Sequence, residues 1–125
     1  MACIVRWLSA VLIVVGLIAG GCGAGALVSP PSTVSGLYVA NRSGQSVTVY
    51  EPSATGDVAP IRTISGTSTG LNVPYGVALD AAGILYVSNG ASNSITVYAP
   101  GATGDVAPIR TISGANTGLN GPRGM

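Results

Sequence analysis

The chain repeats the segment Ala54-Thr55-Gly56-Asp57-Val58-Ala59-Pro60-Ile61-Arg62-Thr63-Ile64-Ser65-Gly66 without change at residues 102–114, 48 positions later. Around this segment the similarity extends to residues 37–77 and 85–125, where 28 of 41 aligned positions are identical without a gap. Chance does not produce such agreement, so the chain contains a repeated structural unit of 48 residues.

A period of this length fits a unit of four β-strands. Helical repeats of similar length need long segments with apolar residues spaced by about 3.6 positions, and residues 36–125 contain none. In the complete unit, Asp80 opens and Gly83 closes a tight turn between the first two strands. Residues 36–66 supply the second to fourth strands of an earlier unit. The predicted strands of the complete unit are residues 76–79, 84–88, 94–98 and 109–112.

The composition excludes several classes of function. Charged residues make up 7% of the chain and the net charge is +1, so no basic surface for nucleic acid is expected. Histidine, the usual general base and metal ligand, is absent. All basic residues are arginines, which excludes the Schiff-base chemistry and the Walker-type phosphate loop that need lysine. The 19 glycines and 8 prolines are typical of short strands joined by turns.

The runs Gly76 to Asn89 and Ser94 to Tyr98 resemble NHL-type β-propeller repeats and the related SMP-30/lactonase-like propellers. The resemblance covers residues 36–125. It implies an all-β fold of antiparallel four-stranded blades, in an incomplete propeller of about two blades. Such propellers include scaffolds, ligand binders, lactonases and lyases, so the resemblance predicts a fold and not an activity.

The number of blades raises the question of closure. A blade is a twisted sheet whose two apolar faces are covered by neighbouring blades, and a closed ring needs about four or more. Residues 36–125 supply three strands, then four, then the start of another, so we expect a truncated product or an incomplete gene sequence. The alternative is a ring of three copies. A chain that exists alone is expected to self-associate through its exposed blade faces.

Residues 1–22 resemble the export signal of a bacterial lipoprotein, which implies a signal or anchor helix in front of the β-strands. Arg6 precedes an apolar run over residues 7–19, which has the length of a signal-peptide core and is short for a membrane span. Small residues then lead to Cys22, as in a lipobox. The resemblance implies that Cys22 receives a diacylglyceryl group, becomes the first mature residue and holds the protein at the membrane.

Two alternatives stay open for this segment, namely an uncleaved anchor helix over residues 7–28 and ordinary secretion. All three readings place the remainder of the chain outside the cytoplasm, in the cell envelope or beyond. Residues 23–35, with two adjacent prolines, are expected to form a flexible tether. Cys3 would leave with the signal and Cys22 would carry lipid, so no disulfide is expected.

The charged residues that recur at a fixed spacing are Asp57 with Arg62, and Asp105 with Arg110. One active site needs one constellation, whereas this pair occurs once in each unit. We therefore expect a structural brace between the Asp and the Arg of each loop. The alternative is that Arg62 and Arg110 contact an anion.

The expected function is binding or scaffolding, with a protein or carbohydrate ligand, without a cofactor or metal and without catalysis by this chain. The alternative is a piece of a lactonase- or lyase-like enzyme that holds a divalent cation in the propeller channel. Oxygen ligands for such a cation would have to come from Asn41, Asn89 and Asp80. A turn role already accounts for Asp80, so no metal site is predicted.

Overall fold

The structure is a computed structural model that describes residues 5–8, 11–14 and 35–125. The chain separates into two units, residues 1–30 and 31–125. In the first unit, strands β1 (Val5–Leu8) and β2 (Val11–Val14) form an antiparallel pair. All other described elements belong to the second unit.

Three strands form the first sheet of the second unit: β3 (Leu37–Asn41), β4 (Ser46–Tyr50) and β5 (Arg62–Ser65). They are antiparallel neighbours in chain order. Val47 and Val49 of the middle strand are fully buried, and the three residues that alternate with them along the strand are half-buried. This alternation follows from the two-residue period of a strand, which turns successive side chains to opposite faces.

Four strands form the second sheet, also antiparallel and in chain order. The register between the first two strands shifts between Pro74 and Gly76. A short 3-10 helix, Ala115–Thr117, follows the last strand. The four strands are β6 (Pro74–Leu79), β7 (Leu85–Asn89), β8 (Ser94–Tyr98) and β9 (Arg110–Ile112).

The predicted all-β class is confirmed, and the four strands expected between residues 76 and 112 are present within two residues of their predicted limits. The expected helix in residues 1–22 is not confirmed, because the described parts of that segment are the strands β1 and β2. Cys22 and residues 23–34 of the expected tether lie outside the described residues. No helix in the described part of the chain has the length and apolar character needed to cross a bilayer.

The main core lies between the two sheets. Val47 and Ile64 come from the first sheet, and Leu85, Val87 and Tyr98 from the second. Leu71, in the connection between the sheets, completes this cluster. Each sheet thus buries an apolar face against the other, which is the physical reason that one repeat alone would leave its core uncovered.

Both hairpins between the second and third strand of a repeat end in the same backbone conformation. Gln45 has φ 47° and Asn93, 48 positions later, has φ 48°. Asparagine tolerates the left-handed region better than most side chains. The repeat in sequence is therefore also a repeat in local backbone geometry.

Candidate functional site

The acidic residue of the repeated pair joins the two sheets. Asp105 Oδ1 accepts a hydrogen bond of 2.7 Å from the backbone N–H of Ser68, and Asp105 Oδ2 accepts one of 3.3 Å from the Ser68 hydroxyl. Asp105 lies in the loop before β9, whereas Ser68 follows β5. The Asp105 carboxylate thus bonds to the segment that follows β5, whereas the expected brace was to the Arg of its own loop.

The arginine of the first pair bonds to a tyrosine of another strand. Arg62 donates a hydrogen bond of 3.0 Å from Nη2 to the hydroxyl of Tyr38 across the first sheet. The Arg62 side chain is half-buried, whereas Arg110 is exposed on β9. Identical residues therefore differ in their surroundings, because only the first sheet has a second sheet packed on that side.

The asparagines at the ends of β3 and β7 hold their own hairpins. Asn41 Nδ2 donates to the hydroxyls of Ser46 and Thr48, at 3.3 and 3.0 Å. The buried Asn89 makes the corresponding bond of 3.0 Å to Thr96. Hairpin geometry uses these side chains, and the described residues contain no group of three or more His, Cys, Asp or Glu that could hold a metal ion.

Asp80 performs the turn role that its position predicts. Its Oδ1 atom accepts hydrogen bonds of 2.9 Å from the backbone N–H groups of Ala82 and Ile84. Tyr86 donates a further bond of 3.3 Å to Oδ2. This pattern is the side-chain turn that aspartate commonly forms.

A depression of about 220 Å³ lies where the first strand of the second sheet begins. The β3–β4 turn, the β7–β8 turn and the segment after the 3-10 helix meet there. Its lining contains two arginines and no acidic side chain. The lining residues are Arg42, Val73, Tyr75, Gly90, Ala91, Gly121 and Arg123.

Tyr75 lines this depression, and both arginines stack on its ring. The guanidinium carbon of Arg42 lies 5.2 Å from the centre of the Tyr75 ring, and that of Arg123 lies 5.1 Å from it. Both distances are within the range of cation–π attraction. The Tyr75 ring thus brings both guanidinium groups to the same depression.

Gly90 makes room for the Tyr75 ring. A Cβ atom at position 90 would lie 2.6 Å from Cε2 and 2.8 Å from Cδ2 of Tyr75. Such distances are well inside van der Waals contact, so a larger residue would displace the ring. Arg42 occupies the position in the first repeat that Gly90 occupies in the second.

Sequence reasoning missed this cluster because it followed the residues that recur. The cluster consists of residues that differ between the repeats: Arg42 corresponds to Gly90, and Tyr75 to Arg123. The sequence could have indicated this cluster through the positions at which the two repeats differ. A site specific to one place in the chain needs side chains that its neighbours lack.

No family model, no curated protein and no solved structure matches the chain. The likeness to NHL-type repeats therefore stays a prediction.

Val73, in the lining of the depression, has a strained backbone. Its φ is 56°, in the left-handed region that a β-branched residue rarely adopts. Its counterpart Gly121 has φ 55°. The conformation belongs to the repeat, and only the second copy of it has a residue that fits without strain.

We expect Val73→Gly to raise the free energy of unfolding by about 1 kcal/mol, because relief of strain exceeds the entropy that glycine adds to the unfolded chain. Urea denaturation followed by far-UV circular dichroism measures the change. The reciprocal variant Gly121→Val serves as the control. A Cβ at position 121 meets no atom within 4 Å, so backbone strain should be the main cause of the loss of stability in this variant. A loss of stability in Val73→Gly would contradict the assignment of strain.

Proposed function

We propose that this chain is a binding and scaffolding module of propeller-type blades, exported and held at the membrane, which binds a ligand that carries a carboxylate group. The blade assignment is supported by the antiparallel sheets in chain order, by the shared core between them and by the 48-residue period. The observation that carries the binding function is the stacking of Arg42 and Arg123 on Tyr75 in an open depression without acidic residues.

The chemistry of the depression favours an anion. Guanidinium groups donate paired hydrogen bonds to carboxylates, and stacking on an aromatic ring fixes the plane in which they do so. Both arginines are exposed, so their donor groups remain accessible to a ligand. An acidic oligosaccharide unites these features with carbohydrate, one of the two ligand classes expected from the sequence, the other being protein.

Isothermal titration of the full chain in detergent with oligogalacturonate tests this function. We expect Arg42→Gln combined with Arg123→Gln to weaken binding about tenfold or more, since each charge-assisted hydrogen bond contributes strongly to affinity. Arg110→Gln is the matched control, because Arg110 is an exposed arginine on β9, outside the depression. Equal binding of a neutral oligosaccharide, or full affinity in the double variant, would contradict the proposal.

Membrane attachment through Cys22 is the second part of the proposal. We expect Cys22→Ala to move the protein from the membrane fraction to the soluble fraction, because the acyl chains would supply the anchor. Fractionation of the expressing cells with detection by immunoblot measures this. Cys3→Ala is the control, since Cys3 lies within the predicted signal. Unchanged membrane retention of Cys22→Ala would exclude the lipid anchor.

A further inference from the structure

The loop before β9 is bound to the outer edge of β5. Gly104 and Ile64 form a parallel β-bridge. The Gly104 N–H donates to the Thr63 carbonyl at 2.7 Å, and the Ser65 N–H donates to the Gly104 carbonyl at 3.1 Å. With the bond from Ser68 to Asp105, these contacts fasten the second sheet to the first. We call residues 103–106 the docking loop and residues 63–68 the docking edge.

Each half of this interface occurs a second time in the chain. Residues 55–58 repeat the sequence of the docking loop without change. Residues 111–116 repeat the docking edge, with Ala115 for Thr67 and Asn116 for Ser68. In the two bonds with Gly104, the docking edge contributes only backbone groups. The two differences in side chain therefore leave these bonds available in residues 111–116.

Burial differs between the apolar residues of the internal interface and their counterparts 48 positions away. Ile64 in the docking edge is 1% exposed, whereas its counterpart Ile112 is 47% exposed. Val106 in the docking loop packs against the core, whereas its counterpart Val58 is 45% exposed. The same apolar side chains are thus buried or partly buried at the internal interface and exposed in residues 55–58 and 111–116.

Gly66 in the docking edge and its counterpart Gly114 differ in the space that is open beside them. A Cβ atom at Gly66 would lie 2.3 to 2.6 Å from the Asp105 side chain, so the carboxylate occupies the space beside this glycine. Gly114, its counterpart, has a similar φ of 114° and no atom within 4 Å of a Cβ. The space that Asp105 fills beside Gly66 is open beside Gly114.

We propose that this chain associates head to tail with a second copy of itself, in which residues 55–58 of one copy bind residues 111–116 of the next. Asp57 would then accept the N–H of Asn116 as Asp105 accepts that of Ser68. The two halves lie on different surfaces of one chain, so the interface is heterologous and extends to a ring or a filament.

A second copy fits better than an unrelated partner because it supplies the whole internal interface again. The apolar residues of the internal core have counterparts of the same or similar size on the two free faces. On the face beside residues 111–116 these counterparts are Ile95, Ile112 and Leu119. On the face beside residues 55–58 they are Leu37, Val39, Tyr50 and Val58. Residues 15–20, which lie 48 positions before the docking edge, do not repeat its sequence, because Ile18 stands at the position that corresponds to Gly66.

Sedimentation velocity of the full chain in a density-matched detergent tests the proposal. We expect the wild type to form oligomers whose size increases with protein concentration. Asp57→Ala and, separately, Gly114→Ala should each weaken association about tenfold or more, the first by removing a charge-assisted bond and the second by filling its site. Glu51→Ala, which removes an exposed acidic residue from the same connection, should associate as the wild type does.

A mixture of the two variants gives the decisive readout. Each variant keeps one intact half, so an equal mixture should form dimers and stop there, at concentrations where each variant alone stays monomeric. If either substitution disturbs folding by circular dichroism, Val58→Asp and Ile112→Asp replace the pair, since both side chains are exposed. A wild type that stays monomeric at all concentrations, or a mixture that yields no dimer, would overturn the proposal.

Discussion

Replacing Gly66 with alanine is expected to lower the free energy of unfolding by about 3–4 kcal/mol. The residue has φ 129°, which an L-amino acid reaches only under strain. A Cβ there would also overlap the Asp105 side chain, at 2.3 Å from Cγ. Strain and overlap add, because the carboxylate cannot move without losing its bond to Ser68. Chemical denaturation followed by circular dichroism measures the loss.

Gly114→Ala is the matched control for this prediction. Position 114 has the same residue and a similar φ of 114°, but no atom lies within 4 Å of a Cβ there. At protein concentrations too low for association, we expect a loss of only about 1–2 kcal/mol, from strain alone. The double variant Gly66→Ala with Asp105→Gly should recover the part that overlap contributes. Equal losses at positions 66 and 114 would show that the two sheets do not meet through this contact.

Truncating Tyr98 to alanine is expected to destabilise the fold by about 3–4 kcal/mol, as for other large buried aromatic residues. Tyr98 is fully buried in the core between the sheets, and its hydroxyl donates a bond of 2.7 Å to the carbonyl of Thr69, which is also buried. The side chain thus connects β8 to the segment that follows β5. Tyr50, its counterpart in the first repeat, is half-buried.

The control for Tyr98 is therefore Tyr50→Ala, for which we expect about half the loss of stability, because less apolar area is removed from contact. Thermal or urea denaturation of both variants gives the comparison. A larger effect at position 50 would contradict the assignment of the main core to the space between the two sheets.

Alkaline pH provides a second test of Tyr98. Burial raises the pKa of its hydroxyl above the ordinary value of 10.0. The folded state then holds the phenolic proton more tightly than the unfolded state does. The contribution to stability is complete below pH 10.0 and is lost as pH rises from there through the folded-state pKa. Tyr98→Phe should flatten this alkaline decline, whereas Tyr50→Phe should leave it in place.

The sequence alone determined the class of fold and the position of its strands. A repeat of 48 residues with two-residue alternation and turn residues at fixed places allows few other structures. The turn role of Asp80 followed from the sequence in the same way, because its bonds go to residues two and four positions away. Hydrogen bonds between residues so close in the chain can be predicted from the sequence, because both partners lie in the same short segment.

Only the tertiary structure decided which contacts the identical residues of the two repeats make. Asp105 binds Ser68, 37 positions earlier, and this partner follows from the packing of one sheet on the other. Arg42, Tyr75 and Arg123 come together in the same way from three distant segments. Spacing along the chain carries no information on such contacts, because each depends on how two sheets of the same sequence pattern are placed against each other.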